Sequence, residues 1–218
     1  MTRLEIRTLV LSWLDDTQGS YFTSSQVNSW INNAQKEAQK LLLEAGENYY
    51  MKPVVTLTST NQADYVLPVD FFKEHRLEVV VSGTGLNENR QKLVPITTNQ
   101  QDLISVNAGV PTNYYIKKDR VTLSPVPQNQ MTLRLYYSPI VSDLTDDTQS
   151  PDVPYQFHEF VAILAALDGF IKDDRSPENL IAKKNEYLKM MKEISEDRTQ
   201  DQSRQVVATS EYDAGFFY

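Results

Sequence analysis

The stretch that most constrains the fold is QFHEFVAILAALDGFI, residues 156–171. Apolar side chains occupy nearly every position in it, so a helix formed there has no polar face to turn toward water. Pro154 suits the first helical position, where its missing N–H group costs nothing. The pattern therefore predicts a buried central helix on which the rest of a domain must pack.

Helices are predicted on both sides of this stretch in the sequence. After it, Ser176–Pro177 favours the start of a new helix, and one face of that helix is marked by Leu180, Tyr187, Met191 and Ile194. At the N-terminal end, a first helix is predicted to end at Asp15–Asp16.

The second N-terminal helix has the clearest signals. Thr23 is the expected N-cap, Gln26 its reciprocal partner three residues later, and Gly46 the expected C-cap. Its apolar positions follow one helical face: Val27, Ile31, Ala34, Ala38 and Leu41.

Between Pro53 and Pro139 the period changes to that of strands. Short β-branched or aromatic runs alternate with Gly, Pro and Asn, which predicts five or six strands. Lys118–Asp119 separates two of these runs and predicts a tight hairpin. The run TNQQDLISVN, residues 98–107, is expected to contain a short helix.

These elements predict an α+β fold. A helical bundle is formed by the N- and C-terminal helices, residues 1–49 and 151–198, with a central β-rich insert at residues 50–142. Residues 199–218 are polar and aperiodic until their aromatic end, so they are expected to form a flexible, extended C-terminal tail.

Composition excludes several functions. The 218 residues contain no cysteine, so disulfides, thiol nucleophiles and zinc ribbons are ruled out. No apolar run is long enough to span a bilayer, so we expect a soluble protein without membrane contact. The net charge of −8 disfavours tight general binding to nucleic acid.

The negative charge is concentrated in one stretch. Residues 143–174 carry eight acidic residues and one basic residue. Asp143, Asp146, Asp147 and Asp152 lie in its loop part, which is either a solvated loop or a surface that repels DNA or meets a basic partner.

We find no catalytic constellation, and we expect no enzymatic activity, cofactor or metal. The two histidines, His75 and His158, are isolated, and His158 is expected to lie on the surface or to cap a helix. The aspartate pairs, such as Asp15–Asp16, are expected to be solvated. The local basic cluster of Lys117, Lys118 and Arg120 is only a weak indication of nucleic-acid binding.

The tail ends in large apolar side chains that suit peptide-like docking. We expect these residues to be its anchors: Val206, Val207, Tyr212, Phe216, Phe217 and Tyr218.

Five phrases in order resemble the head-to-tail adaptor (connector) proteins of tailed bacteriophages. They are WINNAQKEA (30–38), ADYVLPVDFF (63–72), VTLSPVP (121–127), LRLYYSP (133–139) and PDVPYQFHEFVAILAA (151–166), and the resemblance covers roughly residues 1–198. It implies a structural virion protein at the head–tail junction, made in the host cytoplasm. Such proteins form an oligomeric ring, here expected to be a dodecamer, that encloses the packaged DNA without reading its sequence. It also implies that the C-terminal extension docks on the portal and that downstream tail or neck proteins are further partners.

The sequence is also compatible with other classes of protein. They are a tail-completion or stopper protein of the same neck, a metal-dependent phage enzyme, and a free-standing cytoplasmic binding module.

Overall fold

A computed structural model describes residues 1–46, 51–58, 60–97 and 108–204, with side chains except at residues 57 and 194–204. The described residues form four α helices and ten strands, so the chain is α+β. Its contacts divide it into a helical unit, residues 1–47 and 141–218, and a β unit, residues 48–140.

The helices are α1 (Arg3–Trp13), α2 (Ser24–Glu44), α3 (His158–Lys172) and α4 (Glu178–Arg204). The predicted capping box of α2 is confirmed, because Thr23 Oγ1 accepts from Gln26 N–H and Gln26 Oε1 accepts from Thr23 N–H. At the other end Ala45 is the C-cap and Gly46 follows with φ 91°, the left-handed conformation that glycine adopts without strain.

Helix α3 is the buried centre of the helical unit, as its sequence predicted. It packs against α1, α2 and α4, and Phe160, Val161 and Ile163 are fully buried. Gly169 allows the closest approach: a Cβ atom there would lie 2.6 Å from Leu14 Cδ1 of the α1 C-cap. Pro154 does not begin this helix, because a 3-10 turn over Tyr155–Phe157 intervenes.

Helix α4 starts just after Pro177 and packs on α3 through Tyr187, whose ring lies 5.5 Å from that of Phe160. It continues to Arg204, beyond residue 198 where the sequence predicted the tail to begin. The six proposed tail anchors, residues 206–218, lie outside the described residues.

The strands are β1 (Lys52–Leu57), β2 (Asp64–Val66), β3 (Phe71–Ser82), β4 (Asn89–Lys92), β5 (Val94–Pro95), β6 (Ala108–Gly109), β7 (Asn113–Lys117), β8 (Arg120–Ser124), β9 (Val126–Pro127) and β10 (Thr132–Pro139). They form two four-stranded sheets, ordered β1-β10-β3-β4 and β2-β8-β7-β5, and the pair β6-β9. The count exceeds the predicted five or six, because two-residue strands such as β5 and β9 leave no periodic signal. The predicted helix at residues 98–107 lies outside the described residues.

The β unit buries one face of each large sheet. Along β10 the side chains Leu133, Leu135 and Tyr137 alternate inward and join Leu77 and Val79 of β3 in one apolar cluster. Tyr137 is buried while its neighbour Tyr136 is not, because successive side chains of a strand point to opposite faces of the sheet.

The hairpin predicted at Lys118–Asp119 is also confirmed. Strands β7 and β8 pair in antiparallel fashion, with Lys117 opposite Arg120. Lys118 takes φ 56°, so the turn forms without the glycine that such turns usually contain.

None of the described helices combines the length and the apolar character that crossing a membrane requires.

The contact at Gly169 gives a stability test. Gly169→Val places a branched side chain against Leu14, and we expect a loss of about 1–3 kcal/mol in the free energy of unfolding from overpacking. Ala182→Val on the exposed side of α4 is the control and should change stability by less than about 0.5 kcal/mol. Urea titration followed by circular dichroism measures both. Equal effects of the two substitutions would mean that the α1–α3 contact does not limit the size of residue 169.

Candidate functional site

The candidate site is the acidic segment, residues 141–153, which follows β10 and leads into α3. Apart from a turn at residues 146–148 it has no regular secondary structure, so its peptide groups need partners outside any helix or sheet. Helices α1 and α2 supply these partners, and the segment is held at several points along its length.

Helix α2 presents a polar stripe to the start of the segment. Gln39 Oε1 accepts from the Val141 N–H at 3.2 Å, and Gln35 Nε2 donates to the Ser142 carbonyl at 2.8 Å. Both glutamine side chains are buried within the helical unit. They therefore act as substitutes for the sheet or helix partners that this part of the backbone lacks.

The stripe continues one turn earlier with Asn32. Its Oδ1 accepts from the Leu144 N–H at 2.8 Å, and its Nδ2 lies 3.4 Å from the Leu144 carbonyl oxygen. That carbonyl also accepts from Arg3 Nη1 at 2.6 Å. The backbone N–H and the carbonyl of the buried Leu144 are thus both hydrogen-bonded by side chains of α1 and α2.

Asp147 is the electrostatic anchor of the segment. Its Oδ1 accepts from Arg3 Nη2 at 2.7 Å and its Oδ2 from Arg7 Nη2 at 2.6 Å. The two guanidinium groups are largely buried, with side-chain exposures of 11% and 13%, while Asp147 is 40% exposed. Arg7 also donates to Asn28 Oδ1, which completes the stripe on α2.

These hydrogen bonds hold the pKa of the Asp147 carboxyl at about 2. The cause is the donation from Arg7 and then Arg3, which favours the charged form. The backbone of the segment also binds α1. The first two N–H groups of α1, at Arg3 and Leu4, donate to the carbonyls of Gln149 and Asp147. These N–H groups have no partner within their own helix.

Asp146 has a different role from Asp147. Its Oδ1 accepts from the Thr148 N–H and hydroxyl at 2.8 and 2.6 Å, and these bonds lower the pKa of its carboxyl. Gln149 Oε1 accepts from the N–H groups of Thr145 and Asp146, which closes the turn. Asp146 is therefore a turn-forming residue on an exposed loop.

The remaining two predicted aspartates are surface residues. Asp143 is 53% exposed and pairs with Lys36 of α2 at 2.6 Å, and Asp152 is exposed. Tyr155, just after the segment, is 78% exposed. The structure therefore separates the four aspartates predicted as one surface: two shape the segment and two remain on its outside.

Of the two positions predicted for the histidine at the start of α3, the surface is wrong and the helix cap is confirmed, because His158 is the C-cap of the 3-10 turn at Tyr155–Phe157. His158 is 6% exposed, its Nε2–H donates to the Val153 carbonyl at 3.1 Å, and its Nδ1 accepts from the Met1 amino group at 2.6 Å. Burial and then the charge of that amino group lower the pKa of the imidazole. A neutral His158 thus ties the end of the acidic segment to the core.

Asp16 also departs from the expected solvated state. It is 8% exposed, and its carboxylate accepts from the N–H groups of Ser20, Tyr21 and Phe22 and from the Ser20 hydroxyl. Donation by Phe22 is the largest cause that lowers the pKa of Asp16 to about 2. Asp16 is therefore the organiser of the α1–α2 loop, whereas Asp15 stays exposed.

Sequence reasoning missed the polar stripe, although one signal was present. Asn28, Asn32, Gln35 and Gln39 recur at spacings of four and three, which places them on one helical face. Two of them lie in WINNAQKEA. Among the described residues, no group of three or more His, Asp or Glu side chains is arranged to hold a metal ion.

Comparison with protein families agrees with the fold and the motifs. The model of the family described as SU10 adaptor protein matches residues 1–210. The chain therefore belongs to this family of phage head-to-tail adaptors, which confirms the resemblance found in the sequence. Membership implies interaction with phage portal and tail proteins and a place at the neck of the virion. No curated protein matches the chain.

Asp147→Asn tests the anchor. It removes the charge that pairs with two buried guanidinium groups, so we expect the melting temperature at pH 7 to fall by several degrees. Asp152→Asn is the matched control and should leave the melting temperature unchanged. A variant with normal stability would show that Arg3 and Arg7 are solvated without Asp147.

The same anchor predicts a pH dependence. The pKa of Asp147 is depressed to about 2 in the folded chain, against an ordinary value of about 3.9. Its contribution to stability is therefore present above pH 4 and is lost as the pH falls from about 4 toward about 2. The difference in melting temperature between wild type and Asp147→Asn should shrink over that window in a series of thermal melts. A constant difference would contradict the assignment.

Asn32→Ala tests the polar stripe. It leaves the N–H of buried Leu144 without a partner, which should cost about 1–3 kcal/mol of unfolding free energy. Its neighbour Asn33 is exposed, so Asn33→Ala is a control with the same chemistry and should change stability by less than about 0.5 kcal/mol. Urea titrations of the two variants give the comparison, and equal losses would contradict the role of the stripe.

Proposed function

We propose that this chain is a structural head-to-tail adaptor that forms a ring under the portal, around the DNA channel, and links the capsid to the tail. The observation that carries this proposal is the family match over residues 1–210. The adaptor acts through surfaces and carries out no catalysis. In the ring it encloses the packaged genome without sequence-specific contacts.

The outside of the acidic segment is the surface we assign to the channel or to a neighbouring ring. Asp143, Asp152 and Tyr155 are exposed there, while Asp147 and the α2 stripe hold the backbone beneath them. A surface that is already ordered loses little conformational entropy when a partner binds. Its negative charge also avoids strong contacts with passing DNA phosphates.

Ring formation depends on the portal in this proposal. Subunits with a net charge of −8 repel one another, so the free chain should be mainly monomeric at moderate salt. A portal that binds every subunit places them at high local concentration and closes the ring, for which we expect twelve copies as implied by the family resemblance.

The C-terminal tail supplies the portal contact. Helix α4 carries the chain to Arg204, and the residues after it include the six anchors named from the sequence. Large aromatic anchors provide most of the binding energy in peptide-like docking. Each tail can bind weakly, because the contact is repeated around the ring.

Alanine substitution of Tyr212, Phe216, Phe217 and Tyr218 tests this docking. We expect the variant to lose association with the portal protein of the same phage, measured by co-sedimentation at equal concentrations, because the apolar anchors are gone. Thr209→Ala with Ser210→Ala is the control in the same tail and should bind like wild type. If the aromatic variant still binds the portal, the docking site lies elsewhere. If the wild-type chain does not bind the portal at all, the adaptor role fails.

A further inference from the structure

Most basic side chains are neutralised within the chain. Arg3 and Arg7 pair with Asp147, and Arg90 and Arg134 share Glu88. Among the described side chains, the basic ones without an ion pair, a hydrogen bond or a ring contact are Lys92, Lys117, Lys118, Arg120 and Lys192. Three of these five lie in one four-residue stretch.

That stretch is the tip of the β7–β8 hairpin, residues 117–120, called here the basic hairpin. All four side chains are exposed, and Lys117 is the cross-strand partner of Arg120. The turn is fixed from behind, because the Asp119 carbonyl accepts from the Leu67 N–H at 2.8 Å. Three cations and one carboxylate are thus displayed on a hydrogen-bonded turn, and the three cations have no ion pair among the described residues.

The charge of the chain is divided between its two units. The β unit carries nine basic and seven acidic residues, and the helical unit carries twelve basic and 22 acidic residues, which gives net charges of +2 and −10. A cationic hairpin is therefore complementary to the helical unit of another copy. DNA is a less favourable partner, because it meets the repulsion of the whole chain at −8.

A cyclic ring needs two different, complementary patches on every subunit. We infer that the basic hairpin of one copy docks against the exposed acidic segment of a second copy, next to Asp152 and to Asp143, whose carboxylate also pairs with Lys36 of its own chain. This inference rests on the proposed ring and names its subunit contact. Tyr155, three residues after Asp152 in the sequence, is also exposed, and lysine and arginine side chains pack favourably on such a ring.

The contact is weak by itself and sensitive to salt. Exposed charge pairs contribute little affinity, but they set orientation and association rate. Screening acts over about 8 Å at physiological ionic strength, so raising the salt concentration should dissolve the contact. This agrees with a free chain that is mainly monomeric and a ring that forms on the portal.

The absence of cysteine allows a direct test by disulfide trapping. One chain carries Asp119→Cys in the hairpin turn, a second carries Ser150→Cys in the acidic segment, and both positions are exposed. An equal mixture oxidised at low salt should give the mixed dimer about tenfold faster than either chain alone gives its own dimer. Neutralising the hairpin by Lys117→Gln, Lys118→Gln and Arg120→Gln should remove that excess. Lys40→Gln, Lys189→Gln and Lys192→Gln remove three exposed charges from the helical unit. This control should leave the faster formation of the mixed dimer unchanged.

Charge exchange gives the second test, with sedimentation velocity at low salt as the measurement. Lys117→Glu, Lys118→Glu and Arg120→Glu in one chain should abolish weak self-association, as should Asp143→Lys with Asp152→Lys in another. Mixing the two variants should restore it, because the reversed hairpin then meets the reversed segment. Glu186→Lys with Glu193→Lys, on α4, matches the charge change of the second variant and should not restore association with the hairpin variant.

Each other result overturns the inference. The contact is absent if the mixed disulfide forms no faster than the self-dimers, or if its rate of formation is unchanged when the hairpin is neutralised. It is also absent if mixing the two charge-reversed variants does not restore self-association. If the chain does not self-associate but binds a 20-base-pair DNA duplex in a salt-dependent way that requires the hairpin, the basic hairpin is a nucleic-acid contact instead. Portal binding that persists in the hairpin variants would leave the proposed adaptor role intact while the subunit contact fails.

Discussion

A chain segment without regular secondary structure must find hydrogen-bond partners for its peptide groups outside any helix or sheet. In this protein the partners at residues 141–144 are side chains, and further along they include the backbone N–H groups of Arg3 and Leu4. The stripe on α2 pairs the backbone at residues 141–144, and the Asp147 carboxylate joins Arg3 and Arg7 of α1. The position of α1, the path into α3 and the exposed surface of the acidic segment all depend on this set of contacts.

The same contacts explain how an acidic stretch can hold its own backbone in place and still leave carboxylates exposed. Buried guanidinium groups require a carboxylate, since an unpaired buried charge is costly. Asp147 meets that requirement, and Asp146 forms the turn that presents it. Asp143 and Asp152 are then left on the outside of a backbone that does not need them for its shape. An exposed acidic surface on an anchored backbone therefore follows from these contacts.

The unpaired cations of the basic hairpin stand out because most other basic side chains of the described residues form ion pairs. Where most arginines and lysines have a carboxylate within reach, as Arg90 and Arg134 do at Glu88, a hairpin with three unpaired cations is an exception. The exposed surface of an adaptor has to match its neighbours and reject other partners. In the subunit contact that we infer, exposed charges on a short turn would provide this specificity with little buried area.

Sequence by itself determined the elements whose signal is local. The apolar run in α3, the capping box at Thr23 and the turn at Lys118–Asp119 are decided by residues within a few positions of one another, and all three were predictable. The five phrases also identified the family.

Tertiary structure alone decided the pairings between distant residues. Asp147 lies 144 positions from Arg3 in the chain, and Asn32 lies 112 from Leu144. No local pattern distinguishes an aspartate that anchors buried arginines from one that is solvated, which is why the four aspartates could not be separated. The burial of His158, which was expected on the surface or as a helix cap, was not predictable for the same reason. The two-residue strands were missed for the same reason, because each of them pairs with a strand that lies outside its own stretch of sequence.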